Sequence, residues 1–235
     1  MKSKSIIISF IVFPIFVAIS QPKVTSKRQL FWPQYFSRFE FNKWTFLADG
    51  SKRFEQNNAF QLILRGGLAY ELSSKFEISA GFAYSELYGV GKLTRKERRP
   101  WEQITYKTQL NKLNLQGRFR LEQRFNYDLK LKNYSYSNER FRVQIQFQYP
   151  LWEKEKKQLS IIIADEIFIN QGNNVNKFDQ NRIIAGLQYQ WKKGNNVSIT
   201  YQNIYQQTRV KNNFDDFDIL RIIVVNTFRL KKNDK

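Results

Sequence analysis

Arg118, Arg120, Glu122 and Arg124 recur at every second position of one stretch, and Arg140 and Arg142 follow with the same spacing in another. Residues two apart share one face of a β-strand. Glu166 and Arg182 take the same side if their apolar neighbours face the other way. Brought together inside a closed sheet, these residues could do one of two things. They could line a cation-rich passage or pocket for an anionic solute. Alternatively, they could neutralise one another as a salt-bridged plug, because unpaired buried charge is costly and small barrels are commonly filled by side chains. The network expected is Glu122 and Glu166 held among Arg118, Arg120, Arg124, Arg142 and Arg182.

Glu102, Glu122, Asp165 and Glu166 are the carboxylates best suited to acid–base work, since hydrolysis can be run by two carboxylates within reach of one bond. Nothing in their separation brings any two together, and Glu102 shares parity with Ile104, which makes it a rim residue. The 235 residues contain no His and no Cys. Disulfides, thiolate nucleophiles, Cys/His zinc sites, haem attachment and histidine-assisted triads are therefore excluded. We expect no catalytic residues, no metal and no cofactor, and hence not an enzyme.

The elements that must position these side chains are read from a period of two. Leu113, Leu115, Phe119 and Leu121 interleave with Asn114, Gln116, Arg118 and Arg120; Phe141, Val143, Ile145 and Phe147 interleave with Arg142, Gln144, Gln146 and Gln148. The apolar set is expected to face lipid and the polar set the lumen. The same rhythm runs through 43–54, 60–72, 76–86, 100–110, 159–170, 182–191, 197–206 and 219–230, which makes ten segments, with 30–41 an eleventh candidate. Each approaches the 9 to 11 residues that a tilted strand needs to cross a bilayer, about twice the usual soluble strand. Trp44, Trp101, Trp152 and Trp191 sit near segment ends, where interfacial aromatic girdles belong.

Connections alternate in character. Residues 73–75, 111–112, 153–158 and 192–196 are short and rich in turn formers, whereas 88–99, 126–139, 171–180 and 208–218 are longer and polar. That alternation is the pattern of an outer-membrane barrel, with short turns periplasmic and long loops outside. The fold expected is an all-β, antiparallel up-and-down transmembrane β-barrel. An even count with both ends periplasmic gives ten strands over 43–230, or twelve if 21–29 hold a further strand; residues 21–42 are left without a settled pairing.

Lys and Arg number 39 against 20 Asp and Glu, a formal charge of +19. Lys92, Arg95, Lys96, Arg98 and Arg99 crowd one loop, and Lys130, Lys132 and Arg140 another. Outer-membrane lipids, through lipopolysaccharide phosphates, are the partners such charge would attract. Nucleic acid is not expected, because the oily strand faces and the leader argue for export. That leader is residues 1–20. Lys2 and Lys4 precede a nearly continuous apolar stretch from Ile6 to Ile19, and Ala18, Ile19 and Ser20 form a small-residue exit. The stretch falls short of the roughly 20 residues of a spanning helix and contains Pro14. After Ser20 no uninterrupted apolar run exceeds four residues, so helical spans are excluded.

Several stretches in series carry a family resemblance: Arg99-Pro100-Trp101-Glu102-Gln103, Arg120-Leu121-Glu122-Gln123-Arg124-Phe125, Gln148-Tyr149-Pro150-Leu151, Asp165-Glu166-Ile167-Phe168, Asn181-Arg182 with Ala185-Gly186-Leu187-Gln188-Tyr189, and the closing strand. In order and over nearly the whole mature chain, they resemble the uncharacterised Bacteroidetes outer-membrane proteins catalogued as domain of unknown function 2490. The resemblance implies a barrel in the outer membrane of a Gram-negative bacterium and brings no established activity.

Overall fold

The computed structural model describes residues 23–55, 58–173, 175–208, 210 and 212–230; the leader expected at 1–20 lies outside them. The described residues form eleven strands, β1 (Lys23–Phe41), β2 (Trp44–Glu55), β3 (Phe60–Glu71), β4 (Phe76–Gly89), β5 (Lys92–Leu110), β6 (Leu113–Asp128), β7 (Asn133–Lys154), β8 (Lys157–Gln171), β9 (Phe178–Lys192), β10 (Asn195–Gln207) and β11 (Asn213–Arg229). Consecutive strands pair antiparallel, and β1 closes the barrel on β11.

The closing pair is parallel, running from Lys23↔Asn213 to Glu40↔Arg229. The barrel therefore has eleven strands, and not the ten or twelve expected. An even count is required only when every neighbour is antiparallel. One parallel seam lifts that requirement, because β1 then starts at the same end of the barrel as β11. Residues 30–41, which had no place in an even count, belong to this seam strand, held by β11 on one edge and β2 on the other.

A second difference concerns the polar connections. Residues 88–99 and 126–139 were expected as long loops, yet β4 and β5 pair up to a two-residue turn at 90–91, and β6 and β7 pair up to 129–132. Polar side chains do not stop a strand whose backbone groups are paired and whose cross-strand neighbours stack. Such neighbours are present: Phe60 with Tyr88 at 4.6 Å, Tyr127 with Tyr134 at 4.9 Å and Tyr205 with Phe214 at 4.6 Å between ring centroids. Gly91, at φ 69°, takes the left-handed conformation that the tight turn needs. At the β6–β7 tip Asp128 accepts the N–H groups of Leu131 and Lys130, which hold its carboxyl below the usual carboxylate range.

Alternation sorts the side chains as the pattern implies. Phe119, Val143, Ile145 and Phe147 are exposed on the outside, while Arg120, Glu122, Arg142 and Gln144 are buried within. Trp44, Trp152 and Trp191 also lie outside, at the end of the short turns. Trp152 reaches that side through a bulge between Pro150 and Trp152, which shifts the parity by one residue. Trp101 has no bulge beside it and does not take the girdle position expected for it. It shares parity with Gln103 and Thr105, and its ring lies in the lumen at 4% exposure. Glycines make the room: a Cβ on Gly67 or Gly81 would fall 2.7 or 2.5 Å from the Trp101 Cζ2.

Candidate functional site

The lumen contains a belt of paired charge contributed by β6 to β9. Registry builds it, since Glu122 stands opposite Arg140, Arg120 opposite Arg142, Gln144 opposite Glu166, and Glu166 opposite Arg182. Glu122 Oε2 accepts hydrogen bonds from Arg140 Nη2 at 2.5 Å and Nε at 3.0 Å, and its Oε1 accepts one from Arg142 Nη1 at 2.6 Å. Glu166 Oε1 accepts from Arg142 Nη2 at 2.8 Å and Nε at 3.0 Å, and from Arg118 Nη2 at 2.7 Å. Arg142 thus ties the two carboxylates together diagonally across three strands. Phe168 is fully buried, with the guanidinium carbons of Arg142 and Arg182 at 4.4 and 4.3 Å from its ring centroid. Charge-assisted contacts are the strong ones; here two N–H groups of one guanidinium converge on a single carboxylate oxygen, and inside a barrel they satisfy groups that would otherwise be stranded.

Several expected members stand at the edge of the belt or outside it. Arg120 approaches Glu122 only to 3.8 Å, gives its Nε to Gln103 Oε1 at 2.8 Å, and lies 4.5 Å over the Trp101 ring. Arg182 Nη1 stays 3.9 Å from Glu166. Arg124 joins neither Glu122 nor Glu166. It binds Glu97 Oε1 at 2.5 Å, and Glu97 also accepts Arg99 Nη2 at 2.5 Å. Arg140, which the spacing placed both on the inward face and beside a loop, is the nearest partner of Glu122 and also reaches Asp179 at 3.0 Å. Glu97 and Arg99 fall within the polar stretch 88–99 expected as a loop, yet they lie in β5 and share parity with Trp101. Carrying the alternation back through 92–99 would have turned them inward.

Of the four carboxylates considered for acid–base work, Glu102 and Asp165 lie on the exterior, bonded to Gln123 at 3.1 Å and Asn181 at 2.6 Å. Glu122 and Glu166 are inside but occupied by guanidinium groups. Among the described residues no group of three or more Asp or Glu is arranged to hold a metal ion.

A second constellation, which the sequence pattern did not flag, crosses the parallel seam. Trp32 on β1 stands opposite Arg221 on β11, which stands opposite Thr200 on β10. On the other side Arg53 on β2 falls between the Phe31↔Phe54 and Gln34↔Ser51 pairs, beside Trp32. Its guanidinium carbon is 3.7 Å from the Trp32 ring centroid and that of Arg221 is 4.0 Å away. Their hydrogen bonds go to amides: Arg53 to Gln61 Oε1 at 3.4 Å, and Arg221 to Gln34 Oε1. Among the described residues neither forms an ion pair with a carboxylate.

Two lumenal cavities are formed by the described residues. One, of about 400 Å³, opens towards the short-turn end and is lined by Trp32, Arg118, Arg120, Arg221 and Gln202; the other, of about 260 Å³, lies towards the hairpin end and is lined by Arg28, Arg53, Arg95, Arg99 and Arg140. Arg182 lines both, so the belt and the seam row form the partition between them.

Residues 29–215 match a family model described as "Protein of unknown function (DUF2490)". The chain belongs to the DUF2490 family. The match begins within β1 and ends at the start of β11, so about two-thirds of the β1 seam strand of this DUF2490 protein lies inside the family's span and most of β11 lies beyond it. Comparison with curated proteins shows no match. Among solved structures, one titled "NanC porin structure in rhombohedral crystal form" is similar at 14% identity, covering 78% of this chain and 86% of that chain with a TM-score of 0.44.

Proposed function

We propose that this DUF2490 protein is an outer-membrane β-barrel of a Gram-negative bacterium whose lumen admits small anions through a constriction. The membrane reading is supported by the exterior, where Phe46, Phe82, Ile104, Ile145, Ile163 and Ile199 form an apolar surface that in water would be an aggregation hazard. The leader at 1–20 supports export, and the family resemblance supports a Bacteroidetes source. On the outer surface near the hairpin end, Lys52 lies 4.1 Å from the Phe60 ring centroid and Arg98 lies 4.0 Å from that of Tyr134. Cations mounted on rings in this way suit lipopolysaccharide phosphates as a partner.

The observation that carries the lumenal reading is the imbalance of charge within it. Arg53 and Arg221 have no carboxylate, while Arg120 and Arg182 have one only at 3.8 and 3.9 Å. A wall that presents more guanidinium than carboxylate attracts anions and repels cations. The test is the reversal potential of the purified barrel in a planar bilayer under a potassium chloride gradient. Anion-selective steps are expected, and cation-selective steps overturn the reading. A silent bilayer favours a second reading, in which the belt is a structural seal and the barrel acts through its surface; the doubly paired Glu122 and Glu166 support that alternative.

A further inference from the structure

We propose that the row Arg53–Trp32–Arg221, with Arg182 and Gln202, is a binding site for a small oxyanion, a carboxylate or phosphate group, seated at the partition between the two cavities. The inference rests on the reading of the lumen as anion-attracting, and it locates that attraction at one place. Three observations converge there. The first is charge: Arg53 and Arg221 come from strands on either side of β1 and meet at one indole with no carboxylate between them. Stacking on an aromatic face accounts for their orientation but leaves each without a carboxylate at ion-pair distance, which is unfavourable where water is scarce.

The second observation is unmet hydrogen bonding. Arg53 Nε, Arg221 Nε, Trp32 Nε1, Thr200 Oγ1 and both amide atoms of Gln202 are buried without a partner. Gln202 is 1% exposed and Trp32 is 2% exposed although both line the cavity, so a ligand oxygen meets their polar atoms after a small turn of these side chains towards it. Gln202 stands opposite Ile219, which packs against Trp32, and it lines the same cavity as Trp32 and Arg221. Buried polar atoms are normally satisfied; the orphaned N–H groups of Arg53, Arg221, Trp32 and Gln202 and the Thr200 hydroxyl are donors that an added acceptor would meet, whereas Gln202 Oε1 is itself an acceptor. An oxyanion offers several acceptor oxygens and a negative charge at once, matching guanidinium and indole N–H donors. The third observation is space: both cavities adjoin the row, and Arg182 reaches into each.

A ligand here would bridge Arg53 on β2 to Arg221 on β11, across the only parallel strand pairing among the described residues. Bound oxyanion should therefore raise stability as well as occupy the lumen. The experiment is thermal unfolding of the full chain in detergent micelles, with tryptophan emission recorded in parallel, during titration with inorganic phosphate against chloride at matched ionic strength. Wild type is expected to show a saturable rise in unfolding midpoint and an emission change with phosphate, and neither with chloride. Arg221→Gln and Gln202→Leu should each raise the phosphate concentration for half-saturation about tenfold or more, the equivalent of one charge-assisted hydrogen bond. Trp32→Phe should lose the emission change. Arg38→Gln, at the short-turn end beside Glu77, should respond as wild type.

If phosphate acts no differently from chloride on wild type, the site is overturned, while anion-selective conductance in the same preparation would leave the broader lumenal reading intact. If Arg38→Gln weakens the response as much as Arg221→Gln does, the attraction is diffuse and the site is again overturned. Should Arg221→Gln fail to fold, Gln202→Leu decides, because it removes orphaned atoms without removing charge. Acetate in place of phosphate separates the two sources: a matching midpoint rise assigns the site to carboxylates generally, and a rise with phosphate alone assigns it to phosphoryl groups.

Discussion

The belt and the seam row are both built on arginine and use it in opposite ways. In the belt, two glutamates take the guanidinium groups of Arg118, Arg140 and Arg142 at 2.5 to 3.0 Å through both oxygens of Glu122 and Oε1 of Glu166, while Glu166 Oε2 faces Arg182 at 3.9 Å. In the seam row, two arginines lie against one tryptophan and leave both Nε atoms unpaired. The chain thus neutralises charge where four antiparallel strands bring it together, and leaves it open where the parallel seam closes the barrel. Paired charge resists disruption because removing one partner strands the others; unpaired charge gains from an added counter-ion.

The largest effect should come from breaking the belt. Glu122→Gln leaves Arg140 and Arg142 each short of a charged partner and is expected to destabilise the barrel by about 3 to 5 kcal/mol, read as a fall in the denaturant midpoint in detergent. A loss of about 0 to 1 kcal/mol, as for an exposed pair, would show the belt to be wet and the two regions to be alike.

Next in size is the test of which side is which. Arg in place of Ile145, on the exterior, should cost about 2 to 4 kcal/mol near a bilayer midplane, and Arg at the adjacent Gln144, in the lumen, much less. Equilibrium unfolding in lipid vesicles measures both. A reversed order would mean that the apolar face does not meet lipid.

A smaller effect is expected where Trp101 meets its glycine floor. Gly81→Ala places a Cβ 2.2 Å from the Gly66 carbonyl oxygen and 2.5 Å from the Trp101 ring, which should cost about 1 to 3 kcal/mol by overpacking. It should also shift tryptophan emission, because the ring must move off the glycines and away from Arg120. Unchanged emission would place the tolerance in the backbone instead.

The smallest effect sharpens the comparison most. Without added oxyanion, Arg53→Gln should lower the unfolding free energy by less than about 1 kcal/mol, or raise it, as read from the denaturant midpoint, because a charge without a carboxylate partner is removed. Arg142→Gln in the same buffer should behave like Glu122→Gln. Equal losses for the two arginines would end the distinction between paired and open charge.

Much of this arrangement was legible before any coordinates. Period-two alternation is a local property of the chain, so the sheet, the outward place of Phe119 and Ile145 and the inward place of Glu122, Arg142, Glu166 and Arg182 follow from the order of residues alone. The absence of Cys and His likewise limits the chemistry without reference to the fold. Three features depended on the closed barrel. The parallel pairing of β1 with β11 joins residues nearly two hundred positions apart, and no local pattern records whether a closing pair runs parallel or antiparallel. The position of Trp152 turned on a bulge, which adds one residue to the count and reverses every inference from parity beyond it, whereas Trp101 lacked one and stayed inside. The meeting of Arg53, Trp32 and Arg221 follows from the seam itself, because only closure sets β2, β1 and β11 side by side and makes neighbours of charges that the sequence keeps far apart.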